Sequence, residues 1–423
     1  MTHPAERPLK IGLLGSDPRI AAVAEAARRR GDAIVIACLS PEHEPTGIDG
    51  VPRSSAWEPL LDEQTCDAIL VGSDGWSDAR AEAVRGLVQA GRTLLLSHPL
   101  SLSMLWAYEL DMIRGDSGSR LIPWLPDRLH PFIARLKAQI ESAVADAHPW
   151  GPLETVTMER RMPDRSRDAV LRQLARDADL IRVLAGDPQR LGTLGGTVDT
   201  AWPTLSVGFT GSGQIPVRWG VARGESSLLS IALTHARGST TVTVPDDSTA
   251  WRWADEPGGS PIAAASFDRA AVLVDQLHLA VLGGPRPAAM TAVPAADWPD
   301  AARAIELAET VPRSLAKGRA IDLHQEEFSE IGTFKGTMAS LGCGIVLAAL
   351  GVLVLASLVG GIAREAGWGA GERIAAAWPV VVLLALVAFL LLQVLPWLVG
   401  GNADDAGRSG SDTPPQRDPS MRP

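Results

Sequence analysis

Apolar and polar positions along residues 9–125 switch between two periods. Short apolar runs at Leu9–Leu14, Ala33–Leu39, Ala68–Gly72, Thr93–Ser97 and Ser119–Trp124 alternate with stretches of helical period at about Arg19–Arg30, Asp78–Ala90 and Leu102–Arg114. Short apolar runs alternating with helical stretches read as repeated βα units, so the spacing predicts a doubly wound parallel α/β domain up to about residue 125. The pattern then changes. A helix is predicted from Pro131 to Ala145, a strand over Leu153–Arg160 and a second helix over Asp168–Leu184. After Gly186 come strand-like runs at Thr204–Thr210, Gln214–Val221, Leu228–Thr234 and Thr240–Val244, with Gly, Pro, Asp and Ser between them. Consecutive strands with short turns predict an open antiparallel sheet, and helices near Phe267–Leu282 and Ala296–Lys317 complete an α+β domain over residues 126–330.

Two later runs, Thr337–Ile362 and Ile374–Val399, carry no charged residue. Each would extend about 39 Å as a helix at ~1.5 Å per residue, enough for a hydrocarbon core ~30 Å thick. The connector Ala363–Arg373 is short, Ser340, Gly344 and Ala348 are spaced for close helix approach, and Trp378 and Trp397 lie near the ends of the second run. The expectation is a two-helix transmembrane hairpin over residues 337–399, with the membrane as a partner. Met1–Pro8 is polar, with no apolar leader, which places the soluble domains and the 402–423 tail on the cytoplasmic side of a cytoplasmic membrane. The tail, rich in Gly, Ser, Pro and Asp, reads as disordered.

Composition narrows the function. The formal net charge is -10 over 423 residues, and no Lys/Arg cluster interrupts it, which argues against nucleic-acid binding. Cys38, Cys66 and Cys343 have no metal-ligand spacing, and the histidines are scattered, so no metal site is expected. Lysine is confined to Lys10, Lys137, Lys317 and Lys335.

The segments IGLLGSDPRIA, DAILVGSDGWSDARAEAVRGLVQAGRTLLLSHPLSL, PDRLHPFIARLKAQI, RDADLIRVLAGDP and SLAKGRAIDL, in this order and spacing, resemble the Gfo/Idh/MocA oxidoreductases (glucose–fructose oxidoreductase and inositol dehydrogenase relatives) over most of residues 8–323. The resemblance implies a Rossmann-type domain, an NAD or NADP cofactor, a sugar-like or polyol substrate, and a homodimer formed through the open sheet. It places the cofactor at Gly15, Ser16, Ser40, Ser73 and His98.

This sequence departs from the family's pattern at each catalytic element. Gly15 supplies the first glycine of the dinucleotide loop, but the next falls on Asp17 or Pro18, one a carboxylate and the other without an N–H; Ala21 meets the third, small position. The loop is therefore open to a second role as a plain helix cap. An acidic residue is expected where the second strand ends, to accept from the ribose; here stand Leu39 and Ser40, with Glu42 and His43 nearby. The family's Glu-Lys-Pro segment reads Ser97-His98-Pro99, which leaves His98 as the remaining acid–base candidate. Its Asp/His pair, four residues apart on one helical face, falls on Arg172 and Arg176, with Asp179 one turn later and Asp177 beside it. A guanidinium is no general base.

Three functions follow as expectations: a binding or scaffold module on a catalytically impaired oxidoreductase fold, an active NAD(P)-dependent oxidoreductase working through His98, or an anion sensor using Arg172 and Arg176 with Arg128. The arginines are also open to a plainer role, as a solvated face paired with Asp179.

Overall fold

The computed structural model describes residues 7–38, 50–195, 202–211, 215–246, 250–256, 262–263, 267–283 and 293–323, with a few isolated positions between 358 and 367. The chain divides into two compact units, Met1–Gln325 and Glu326–Pro423; the elements below all belong to the first.

The first sheet is built from β1 (Lys10–Leu14), β2 (Ala33–Cys38), β3 (Arg53–Ser54), β4 (Ala68–Val71), β5 (Thr93–Leu96) and β6 (Arg120–Pro123), in the order β3-β2-β1-β4-β5-β6. All its pairings are parallel, the strand order of a dinucleotide-binding fold. The strand order reverses at β1, so the ends of β1 and β4 open a crevice there. Helices α1 (Pro18–Arg30), α2 (Asp78–Gln89) and α3 (Met104–Ser117) cover the faces. Local sequence explains α1: Asp17 caps its N-terminus, Pro18 occupies the first turn, and Gly31 ends it in the left-handed region. Ile20, Val23, Ala24 and Ala27 bury its inner stripe, and each fully buried large aliphatic contributes about 1.5–3 kcal/mol.

The second sheet has nine strands: β7 (Leu153–Met162), β8 (Pro188–Leu194), β9 (Ser206–Gly211), β10 (Pro216–Arg223), β11 (Leu228–His235), β12 (Gly238–Pro245), β13 (Arg252–Glu256), β14 (Ile262–Ala263) and β15 (Ile321–Asp322). Their order is β14-β13-β12-β11-β7-β10-β9-β8-β15. The sheet is mixed, a departure from the antiparallel expectation: β10 runs parallel to β7. Between them the chain crosses through α5 (Arg167–Ala185), β8 and β9, and returns in the same direction. Helices α4 (Pro131–Val144) and α5 pack on one face of this sheet. Strand β11 alternates buried and half-buried positions, as a sheet with one covered face requires.

The last two helices do not serve the second sheet alone. Helix α6 (Arg269–Leu282) buries Ala270, Leu273, Val274 and Leu277 against α1 and the parallel sheet. Helix α7 (Trp298–Lys317) spans both cores: Trp298, Ala301, Ala302 and Ile305 join the core of the first sheet, while Ala304, Leu307, Ala308 and Val311 join that of the second. The parallel first sheet and the mixed second sheet, each with its own helices, make an α/β fold of two sheets.

The expected membrane hairpin is corrected. No helix of the described residues is long and apolar enough to cross a membrane. The longest, α7 and α5, carry Asp300, Arg303, Glu306 and Glu309, and Arg172, Arg176, Asp177 and Asp179, at positions a bilayer would not tolerate. The two uncharged runs, and the tail after them, lie almost wholly outside the described residues. The multi-pass placement in a cytoplasmic membrane is withdrawn.

Candidate functional site

The turn after β1 carries Gly15, Ser16 and Asp17. Gly15 has φ +69°, which glycine alone adopts without strain, and its N–H donates to the Cys38 carbonyl at 2.8 Å. A Cβ at Gly15 would overlap the Arg80 guanidinium, which donates to the Asp74 carbonyl. Gly72, at the end of β4, lies directly on the Ser16 backbone, where any side chain would collide.

Asp17 organises this turn. Its Oδ1 accepts the N–H groups of Arg19 and Ile20, both at 3.0 Å, and its Oδ2 accepts the Ser73 N–H and hydroxyl at 2.8 and 2.9 Å. Burial by itself would raise this carboxyl, but hydrogen bonds from Ile20, Ser73 and Ser97 prevail and hold it below the ordinary range. The first-turn amides of α1, where a Rossmann fold receives a diphosphate, therefore already hold an internal anion. Of the expected cofactor residues, Gly15, Ser16 and Ser73 converge on Asp17, and Ser40 lies outside the described residues. Tested against a dinucleotide, this donor set does not fit: the amides are taken, and a diphosphate at the helix end would meet a carboxylate.

His98 follows β5 and is 1 % exposed. Its Nε2 lies 3.1 Å from the Ala175 carbonyl, an acceptor only, so Nε2 carries the proton of a neutral ring. Burial first, then the positive charges of Arg176 and Arg19, outweigh that hydrogen bond and push its pKa down to about 3. The imidazole stays uncharged at physiological pH.

Helix α5 separates the residues expected to act together. Asp179 forms a bidentate pair with Arg128, with Nε to Oδ2 at 3.0 Å, and Arg128 also donates to Asp300 at 2.7 Å. Burial works against the Arg128 charge, but the two carboxylates outweigh it. Arg128 is thus a structural cation, unavailable to a ligand. Asp177 is held by Arg160 Nε and the Trp219 indole N–H at 3.0 and 2.9 Å, while Arg160 reaches Asp246 at 2.8 Å. Arg172 is half-buried and lies outside the cavity described next. Arg176 turns toward the first sheet, donating Nε to the His98 carbonyl at 3.0 Å and Nη1 to Gln173 Oε1 at 2.9 Å.

A cavity of about 40 Å³ lies between α1, the loop after β6 and α5, lined among others by Arg19, Trp124, Arg160, Arg176, Asp246 and Arg269. Sequence reasoning missed Arg19, Arg160, Asp246 and Arg269. Asp177 gave a signal, as a carboxylate on an otherwise apolar stripe that a buried cation had to meet; nothing local marked Arg160 as its partner. Among the described residues no group of His, Cys, Asp and Glu is arranged to hold a metal ion.

No protein-family model and no curated protein matches the chain. Solved structures do. A protein assigned as an NADPH-dependent oxidoreductase from Desulfitobacterium hafniense superposes with TM-score 0.61 at 14% identity, over 75% of this chain and 98% of its own. Biliverdin reductase from Synechocystis, solved with biliverdin and NADP+, gives 0.56 at 15% identity, over 73% and 100%. A myo-inositol dehydrogenase from Corynebacterium glutamicum gives 0.54 at 16%, over 75% and 99%. The structural neighbours are Gfo/Idh/MocA-type oxidoreductases. At these identities the likeness establishes the fold and leaves the chemistry to the residues.

Proposed function

We propose that this chain is a binding module on an oxidoreductase fold, whose cleft takes a ligand without hydride transfer. The observation that carries the reading is the Asp17 carboxylate on the first-turn amides of α1. Three further features support it. His98, the remaining acid–base candidate, is buried, neutral and committed to Ala175. Arg172 and Arg176 stand where the resemblance places an Asp and a His, and neither can take a proton from a hydroxyl. Asp177 and Asp179 are each occupied by a buried arginine, Arg160 and Arg128, which leaves neither placed to receive a proton from a substrate hydroxyl.

The test is a titration of the full chain with NADH and NADPH, followed by fluorescence and calorimetry. No saturable binding up to millimolar cofactor is expected. Saturable micromolar binding of either nucleotide would overturn the proposal and return attention to an oxidoreductase centred on His98.

A further inference from the structure

We infer that Arg19 and Arg176 form a receptor for a small oxyanion, a phosphate or carboxylate group, in the cavity between α1 and α5. The inference rests on the reading of the cleft as a ligand-binding pocket, and it names the chemistry of the ligand.

Charge accounting on the cavity wall leads to it. Four arginines and four aspartates line the space: Arg19, Arg160, Arg176 and Arg269, with Asp127, Asp177, Asp179 and Asp246. Every carboxylate is committed. Asp127 pairs with Arg269, Asp177 and Asp246 pair with Arg160, and Asp179 pairs with Arg128 behind the wall. Arg19 and Arg176 remain. Among the described residues neither guanidinium has a carboxylate within ion-pair distance, and the Arg19 guanidinium has no hydrogen-bond acceptor. Asp246 acts on both only at longer Coulombic range.

Both side chains are nevertheless held in place. The Arg19 guanidinium stacks over Trp124, 4.8 Å from the ring centroid, which leaves its edge donors free. Arg176 is fixed through Nε and Nη1, leaving Nη2 for a ligand. Burial first, then the neighbouring Arg19 charge, push Arg176 down to about 9. Arg19 and Arg176 are both half-buried, and two unpaired cations facing one cavity repel each other, a cost that an entering oxyanion relieves for both at once. The space of about 40 Å³ admits a few waters or one small anionic group. Leu125, Pro126 and Leu180 supply apolar wall around it.

The experiment is calorimetry on the full chain with inorganic phosphate and, separately, acetate, each against chloride at constant ionic strength. Saturable binding of at least one is expected, and which one binds assigns the ligand group. Arg19→Gln and Arg176→Gln should each weaken it by about tenfold or more, while Arg313→Gln, exposed on α7 and outside the cavity, leaves it unchanged. Circular dichroism checks that the variants fold. Should they not fold, the parent titration decides alone. Absence of saturable heat with both anions, or equal affinity in folded Arg19→Gln and Arg176→Gln, overturns the inference. NADH binding that phosphate fails to displace would sink the preceding proposal and leave this one standing, whereas silence toward both nucleotide and anion would sink this one alone.

Discussion

Ser73 donates both its backbone N–H and its hydroxyl to Asp17 Oδ2, at 2.8 and 2.9 Å, so one carboxylate ties the turn after β1 to the turn after β4. These are the two strands flanking the point where the sheet order reverses, and a ligand crevice opens there in folds of this kind. Here that crevice is closed by a covalent part of the chain itself.

Replacing Asp17 by Ala removes a helix cap and leaves buried donors unpaired, so we expect a loss of about 1–3 kcal/mol in urea unfolding at neutral pH. The Asp17 carboxyl titrates lower in the folded chain than its ordinary 3.8. The stability it adds is complete above that value and disappears as pH falls through the lower folded one. The gap between parent and Asp17→Ala should therefore narrow in acid. A gap that stays constant to pH 2 would contradict the assignment.

His98 and His130 are both pushed to about 3, chiefly by burial, from an ordinary 6.5. Below 6.5 the unfolded chain takes up protons that the folded chain refuses, so stability falls as pH drops from 6.5 toward 3. Thermal melts across this range should show it, and His98→Gln should make the slope shallower. Ring-proton NMR shifts of both residues should stay flat between pH 5 and 8.

Arg160 answers for two carboxylates. Arg160→Leu strands Asp177 in the core with only the Trp219 and Gln173 donors, and we expect a cost of about 3–5 kcal/mol. Adding Asp177→Leu should recover part of it. A double variant less stable than Arg160→Leu alone would show that Asp177 serves more than its arginine.

Gly72→Ala would press a methyl group into the Ser16 backbone, which cannot yield as a side chain would. A loss of about 2 kcal/mol or more is expected from overpacking. Gly115→Ala, inside α3 and in open space, serves as the comparison and should be neutral or stabilising by up to about 1 kcal/mol.

Much of the scaffold was legible because periodicity is a local signal. The helix expected at Asp168–Leu184 is observed at Arg167–Ala185, and Leu171, Leu174, Ala178 and Ile181, which recur at helical spacing along it, are buried. Strand β3, only Arg53–Ser54, has no apolar run to announce it. Strand β8 interrupts its pattern with Gln189, Arg190 and Gly192. The β7–β10 pairing joins residues some sixty positions apart, and no local pattern encodes that. The site was legible in what it lacks and illegible in what replaces it. Asp17 stood out against a glycine pattern, but its capture of Ser73 required the fold. Arg172 and Arg176 sit on one helical face in sequence terms, yet only Arg176 reaches the cavity, where its partner is Arg19 from another element.

The position of α6 and α7 bears on how the chain is made. During synthesis the six parallel strands emerge first, yet the helices that finish their core come from Arg269–Leu282 and the start of Trp298–Lys317. At ~5–20 residues per second the ribosome delivers them on the order of ten seconds later. Until then the part of the first sheet's core that α6 and α7 cover stays open to solvent, so the amino-terminal strands depend on these two later helices for completion. A ribosome stalled before residue 269 would leave a species prone to chaperone capture, with no independent domain set free.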